Sequence, residues 1–304
     1  YFITIFYKMK LNIATQNKGD FRIQLFSILA VCLILCWAIY SYAFEGGKPT
    51  CSNYILNSYL YVILALILII LIVLSIDQNK GLSNMVMGLF TNIMMYIVFI
   101  IVFIGLLFAI RLVPSEKQGL KHALWLAMVL CIGITLYPAY MYGSMLNIMM
   151  PTLYATLAII VIVTMAAFYK PDLLPLKFYP YVRYALFGLI VLYLIAAFFM
   201  SYEQSNQFSY YLAALGLVIF TLLLFYNTHF LYLNSKRCQD SGNVAYNSKE
   251  YKDMKNTLDF KSNNPMAGRK MIKPDYINES TTLIMNIVNI FLDVLRLMGG
   301  RRKR

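Results

Sequence analysis

Eight long apolar stretches constrain what this chain can fold into more than any other feature of its sequence. A bilayer core about 30 Å thick is crossed by roughly 20 residues of helix, and each stretch approaches or exceeds that length. Within lipid the backbone must satisfy its own hydrogen bonds, so such segments fold as helices and not as open strands. The predicted spans are Gln24–Phe44, Leu56–Ile76, Met85–Arg111, Lys121–Tyr142, Ile148–Phe168, Tyr184–Met200, Gln207–Leu233 and Thr281–Met298.

The composition fits a membrane domain. Of 304 residues, 61% are hydrophobic and 13% are charged, whereas a soluble domain is about half apolar and about a quarter charged. We therefore predict an all-α, polytopic membrane bundle. Its expected parts are a tail at 1–23, a first helix at 24–44, a membrane bundle at 53–233, a polar basic loop at 234–276, a C-terminal helix at 277–299 and a basic tail at 300–304.

Basic residues outnumber acidic ones, 26 to 13. In a membrane protein such an excess indicates the orientation of the chain in the membrane and its contact with lipids, before it suggests a nucleic-acid partner. Eight crossings put sixteen basic residues on one face and nine on the other, with Arg296 left out because it lies inside the last span. We expect the richer face to be cytoplasmic. A last segment that enters and returns on one side would add its basic tail to that face, and the sequence leaves this alternative open.

The loop at 234–276 holds nine of these basic residues and few large aliphatic ones, so it cannot bury a core of its own. We interpret it as a solvated linker that contacts anionic membrane lipids. The alternative is a docking segment for a protein partner. Basic residues without a groove of stacking aromatics do not indicate a nucleic-acid partner, and we expect none.

The cysteines and histidines show no pattern of metal ligands, and we expect neither a metal nor a cofactor. Cys32 and Cys36 share one face of the first span, where free cysteine packs as a small apolar residue. Cys51 and Cys238 fall in loops that the predicted topology places on one side, so the sequence allows a bridge without further support for it. No motif of a hydrolase, nucleotidase or intramembrane protease is present in the sequence, and we do not expect an enzyme.

Polar side chains follow one side of the last span. At about 100° per residue they share an arc of about 100°, and the rest of the turn is apolar. A stripe this narrow favours contact with protein or water, which predicts a central position for the last helix. The polar stripe either lines a hydrophilic path or forms hydrogen bonds with other helices that fix their packing. Each such bond contributes about 0.6 kcal/mol of stability. The stripe consists of Glu279, Thr282, Asn289, Asp293 and Arg296, with Asn286 among them.

Four segments resemble one known family. Ile284–Gly299 is similar to the last helix of the transmembrane Bax inhibitor motif (Bax inhibitor and lifeguard) family. That helix typically reads leucine-aspartate-isoleucine-isoleucine-asparagine-leucine-phenylalanine-leucine, then leucine-arginine-leucine and glycine. Tyr226–His229 resembles the tyrosine-aspartate-threonine-glutamine of that family's preceding helix. Weaker similarity lies at Gly133–Pro138 and Tyr169–Leu173. The resemblance covers roughly Asn53 to Gly299.

The resemblance implies six helices around a central seventh, a calcium leak across an intracellular membrane, and suppression of cell death. In bacterial relatives two aspartates on the last two helices pair as a pH-sensitive latch. Here the matching positions are Asn227 and Asn286. An amide hydrogen-bonds but carries no titrating proton, so a latch of that chemistry is absent.

Two functions therefore compete. One is a leak-type cation channel, or a regulator of membrane homeostasis and cell death, without the pH latch. The other is a structural membrane anchor without transport, for example in a viral envelope or an organellar assembly. The first helix and the basic end resemble those of the mitochondrial inner-membrane branch of the family. We expect an intracellular membrane, which is the mitochondrial inner membrane, the endoplasmic reticulum or a virion inner membrane.

Overall fold

The computed structural model describes residues 18–45, 48–114, 117–199, 202–242 and 274–302. Two residue pairs form an antiparallel bridge, β1 at Phe44–Glu45 and β2 at Lys48–Pro49. Short 3-10 turns occur at Pro171–Leu173 and Leu176–Phe178. The α-helices are α1 at Lys18–Ala43, α2 at Tyr54–Gln78, α3 at Lys80–Thr91, α4 at Ile93–Leu112, α5 at Gln118–Met145, α6 at Met149–Tyr169, α7 at Tyr179–Phe199, α8 at Tyr202–Gly242 and α9 at Tyr276–Arg302.

Seven helices in the described part of the chain are long and apolar enough to cross a membrane. This confirms the predicted all-α, polytopic class. The apolar part of α1 is shorter, at Ser27–Ala43. Most of the loop predicted at 234–276 lies outside the described residues, as does the N-terminal tail up to residue 17.

The structure divides the predicted third span, Met85–Arg111, into α3 and α4. The side-chain oxygen of Asn92 accepts hydrogen bonds from the backbone N–H groups of Met94 at 3.1 Å and Met95 at 3.3 Å. An asparagine in this position is a helix N-cap, because it satisfies amide groups that have no partner within the helix. The sequence indicates Asn92 as a residue of a helix end or of the membrane interface, but the apolar run around it predicts one continuous span, and the structure corrects this.

The chain divides into two compact units. One comprises the described residues of 1–40 and 63–138, and the other comprises the described residues of 41–62 and 139–304. The second unit contains the whole of α9 and, with it, all the polar residues singled out above.

Close helix packing characterises the first unit. A Cβ atom at Gly133 of α5 would lie 2.7 Å from Cγ2 of Ile72 on α2, so only a glycine lets these helices approach so closely. The hydroxyl groups of Ser83 on α3 and Tyr137 on α5 lie 2.7 Å apart. These contacts connect α3 to the core of its unit.

In the second unit α9 packs against α8 and α6. Half of the most apolar stretch of α9 is buried, a larger share than in any other candidate span of the described residues. Leu283, Ile284 and Ile290 are fully enclosed. The aliphatic faces of α9 thus fix it between its neighbours, as an amphipathic stripe requires.

The start of α9 is fastened to the segment that precedes α2. The Tyr276 hydroxyl donates to the backbone carbonyl of Thr50. The Tyr276 ring lies against Tyr54 and Tyr61 of α2, at centroid distances of 5.3 and 6.4 Å. Aromatic pairs at these distances add to the energy of burial.

A disulfide joins Cys51 to Cys238 at the end of α8, with a Cα–Cα distance of 5.3 Å and a sequence separation of 187. That distance lies within the usual range for such bridges. The Asn57 side chain donates to the backbone carbonyls of Tyr42 and Ser52, each at 3.1 Å, and so fixes the loop that carries Cys51. The bridge that the sequence allowed is therefore present in the structure.

Replacement of Cys238 by serine is expected to lower the free energy of unfolding by about 2–4 kcal/mol, because the bridge restricts the unfolded chain. Thermal unfolding in detergent measures this change. Wild-type protein should also migrate faster on a non-reducing gel than after reduction. Cys36→Ser, at an exposed free cysteine, is the control and should keep both properties. Identical migration of wild type with and without reductant would contradict the bridge.

Candidate functional site

Helix α9 begins at a cap built by Asp275. Its Oδ1 accepts from the backbone N–H of Asn278 at 3.2 Å, and its Oδ2 accepts from the Asn278 side-chain amide at 2.7 Å. A carboxylate in this position satisfies free amide groups and favours the positive end of the helix dipole. The cap fixes where the polar stripe starts.

The structure divides the stripe into an enclosed part and an accessible part. Asn286 and Asp293 are buried, with 6% and 2% of their surface exposed. Thr282 and Asn289 are half-buried and bond back to their own helix, to the carbonyls of Asn278 and Met285 at 3.0 and 2.8 Å. These two residues therefore have local partners, and the buried chemistry concentrates on the other members.

Asp293 lies where a glycine makes room for it. A Cβ atom at Gly216 of α8 would lie 2.5 Å from Asp293 Oδ2. Asp293 Oδ1 lies 3.5 Å from Nη1 of Arg296, three positions later on the same helix. The same Nη1 donates to the hydroxyl of Tyr193 on α7 at 2.8 Å. Three helices thus meet at one carboxylate.

Several buried polar side-chain atoms of the second unit have no hydrogen-bond partner among the described residues. They occur on α6, α8 and α9, all in one unit. In the core of a bilayer each such atom costs several kcal/mol, unless water or an ion satisfies it. The atoms in question are Thr156 Oγ1, His229 Nδ1, Thr281 Oγ1, Asn286 Nδ2 and Asp293 Oδ2.

The two latch positions are not joined in the described structure. Asn227 is half-buried on α8 and Asn286 is buried on α9, with no hydrogen bond between them. An amide lacks the shared proton that draws two carboxyl groups together.

Glu279 belongs to a separate polar contact near the start of α9. Its Oε1 accepts from the side-chain amide of Asn234 at 2.7 Å and from the Tyr54 hydroxyl at 3.4 Å. This carboxyl group lies fourteen positions before Asp293 along the same helix. The structure thus places the two acids of the stripe in different surroundings.

Sequence reasoning missed the partners that other helices supply. Gly216 and Tyr193 touch the Asp293–Arg296 pair, yet they lie far from it in sequence. The available signals were weak: a glycine inside a span permits close helix approach, and a tyrosine hydroxyl inside an apolar helix needs a partner. In the described residues no group of three His, Cys, Asp or Glu side chains could hold a metal ion.

The fold and these contacts define a polytopic helical membrane protein with a buried acid on its last helix. The family model for inhibitors of apoptosis-promoting Bax1 matches residues 51–303. The chain belongs to this family, which confirms the resemblance found in the sequence. The match leaves α1 outside it. No curated protein and no solved structure matches the chain.

Replacement of Gly216 by alanine is expected to lower the stability by about 1–3 kcal/mol, because the added methyl group overlaps the Asp293 carboxylate. Thermal unfolding in detergent checks this. Gly188→Ala on α7 is the matched control, since nothing lies within 4 Å of a Cβ there and alanine favours a helix. An unchanged melting temperature for Gly216→Ala would contradict the close packing.

Proposed function

We propose that this protein is a passive leak for cations, calcium among them, across an intracellular membrane, without a proton-operated latch. Membership of the Bax1-inhibitor family supports this proposal. So does the set of unpartnered polar atoms along α9. Regulation of cell death would follow from the calcium that such a leak releases from its store.

The observation that carries the proposal is the unpartnered Oδ2 of Asp293. The residue is 2% exposed and lies in a helix that is otherwise apolar on most of its surface. An ionisable group at membrane depth is costly and marks ion or proton pathways. A passing cation or its water would satisfy the free oxygen. Asn286, two turns earlier and roughly 10 Å along the axis, offers the next free polar atom.

The amides at the latch positions decide how such a leak would be controlled. Two carboxyl groups that share a site titrate as a pair, so their contact depends on pH. Asn227 and Asn286 offer no titrating proton. The leak that we propose is therefore independent of pH at these two positions.

A second function, a structural membrane anchor without transport, is favoured by the contacts that hold the ends of α9 in place. The Cys51–Cys238 bridge and the Tyr276–Thr50 hydrogen bond fasten its start. Arg296 compensates the charge of Asp293 near its other end. In this alternative the buried polar groups serve only helix packing, within a virion membrane or an organellar assembly.

Calcium flux into liposomes that contain the purified full chain tests the leak. Asp293→Asn is expected to lower the flux about tenfold, the change that about 1.4 kcal/mol of lost cation stabilisation produces. Asp77→Asn, an acid in the other unit, is the matched control and should conduct as wild type does. Equal flux through wild type, Asp293→Asn and empty vesicles would reject the leak.

The double variant Asn227→Asp, Asn286→Asp separates the two functions. If the wild type is a leak, its flux should show no step in pH that depends on these positions, and the double variant should acquire one, because the two introduced carboxyl groups titrate where the amides do not. The measurement is calcium flux between about pH 5 and about pH 8, on either side of the range in which a buried carboxyl pair titrates. A silent wild type together with a conducting double variant would favour the anchor.

A further inference from the structure

We propose that Arg296 is the specificity-determining residue of this path: its fixed positive charge, held against Asp293, restricts the leak and discriminates against divalent cations. This inference rests on the proposed function and names the side chain that regulates the same site. It is drawn from the contacts of Arg296.

Three contacts fix the position of the guanidinium group. Nη1 lies 3.5 Å from Asp293 Oδ1 and donates to the Tyr193 hydroxyl at 2.8 Å. The group also lies over the Tyr193 ring, 5.3 Å from its centroid. A planar guanidinium suits this combination of stacking and hydrogen bonding better than an ammonium group does. Tyr193 thus holds the charge beside the acid.

The surroundings of the pair are asymmetric. The Asp293 side chain is 3% exposed, whereas the Arg296 side chain is 46% exposed. Arg296 also lies four residues before the end of the candidate span at Gly300. The arginine is therefore the exposed member of the pair, and the carboxylate is the enclosed one.

Electrostatics then determine what can approach Asp293. A cation that reaches the free Oδ2 must come close to the guanidinium charge of Arg296. Both the attraction to Asp293 and the repulsion from Arg296 grow with the charge of the ion. The arginine therefore offsets the preference for divalent cations that an unpaired carboxylate would give, and its removal leaves the attraction of Asp293 unopposed.

The test measures calcium and potassium flux separately in liposomes with the full chain. Arg296→Gln is expected to raise calcium flux about tenfold and to raise the calcium-to-potassium ratio, because the opposing charge is gone. Arg296→Lys keeps the charge and should keep the wild-type ratio. Tyr193→Phe removes the hydroxyl that accepts from Arg296 and keeps the ring beneath the guanidinium, so it should move the ratio in the same direction as Arg296→Gln, by a smaller amount.

Arg183→Gln is the matched control. Arg183 is an exposed arginine of α7 that lies over the Tyr179 ring, 5.8 Å from its centroid. Its removal should leave both fluxes unchanged, which separates a local effect at Asp293 from a general loss of positive charge.

The outcomes distinguish this inference from the proposed function. If Asp293→Asn lowers the flux but Arg296→Gln leaves the ratio unchanged or lowers it, Arg296 has no selective role and the leak stands. If Arg296→Gln does not fold, an unchanged ratio in Tyr193→Phe overturns the inference. If wild type, Asp293→Asn and Arg296→Gln are all silent, both proposals fall.

Discussion

A carboxylate enclosed within a membrane-spanning helix must be compensated by protein, because lipid offers it neither charge nor hydrogen bonds. Asp293 places this demand on the second unit of the chain. Gly216 leaves room for the carboxylate, Arg296 neutralises it, and Tyr193 orients the arginine. These contacts join α7, α8 and α9 at one point. All three helices therefore contribute to the surroundings of this one side chain, in addition to their apolar packing.

Hydropathy predicted most of the fold, because a bilayer imposes one length and one type of secondary structure on each crossing. It did not predict the cap at Asn92, whose effect depends on local hydrogen bonds inside an apolar run. Helical periodicity placed Asn286 and Asp293 on one side of the last helix, and the structure buries both. It could not separate them from Thr282 and Asn289, which bond to their own backbone. Partners from other helices escaped because contacts across long sequence separations leave no periodic signal.

The family resemblance and the physical arguments address different parts of the site. Family membership agrees with the all-α, polytopic fold. The resemblance in the sequence implies latch positions at Asn227 and Asn286, and amides at these positions offer no proton to share. The buried acid that the structure shows, Asp293, lies elsewhere on α9, together with its own arginine.

A sulfur–sulfur link persists only where thiols are not continually reduced. To form one, Cys51 and Cys238 must emerge from the same leaflet of the bilayer. By the predicted crossings that leaflet also receives most of the lysines and arginines, which usually mark the cytosolic side, where glutathione is abundant. The disulfide therefore favours one orientation of the chain in its membrane, and the distribution of basic residues favours the opposite orientation. A chain that keeps the link either enters its membrane against the charge bias or meets a dedicated thiol oxidant on the basic side.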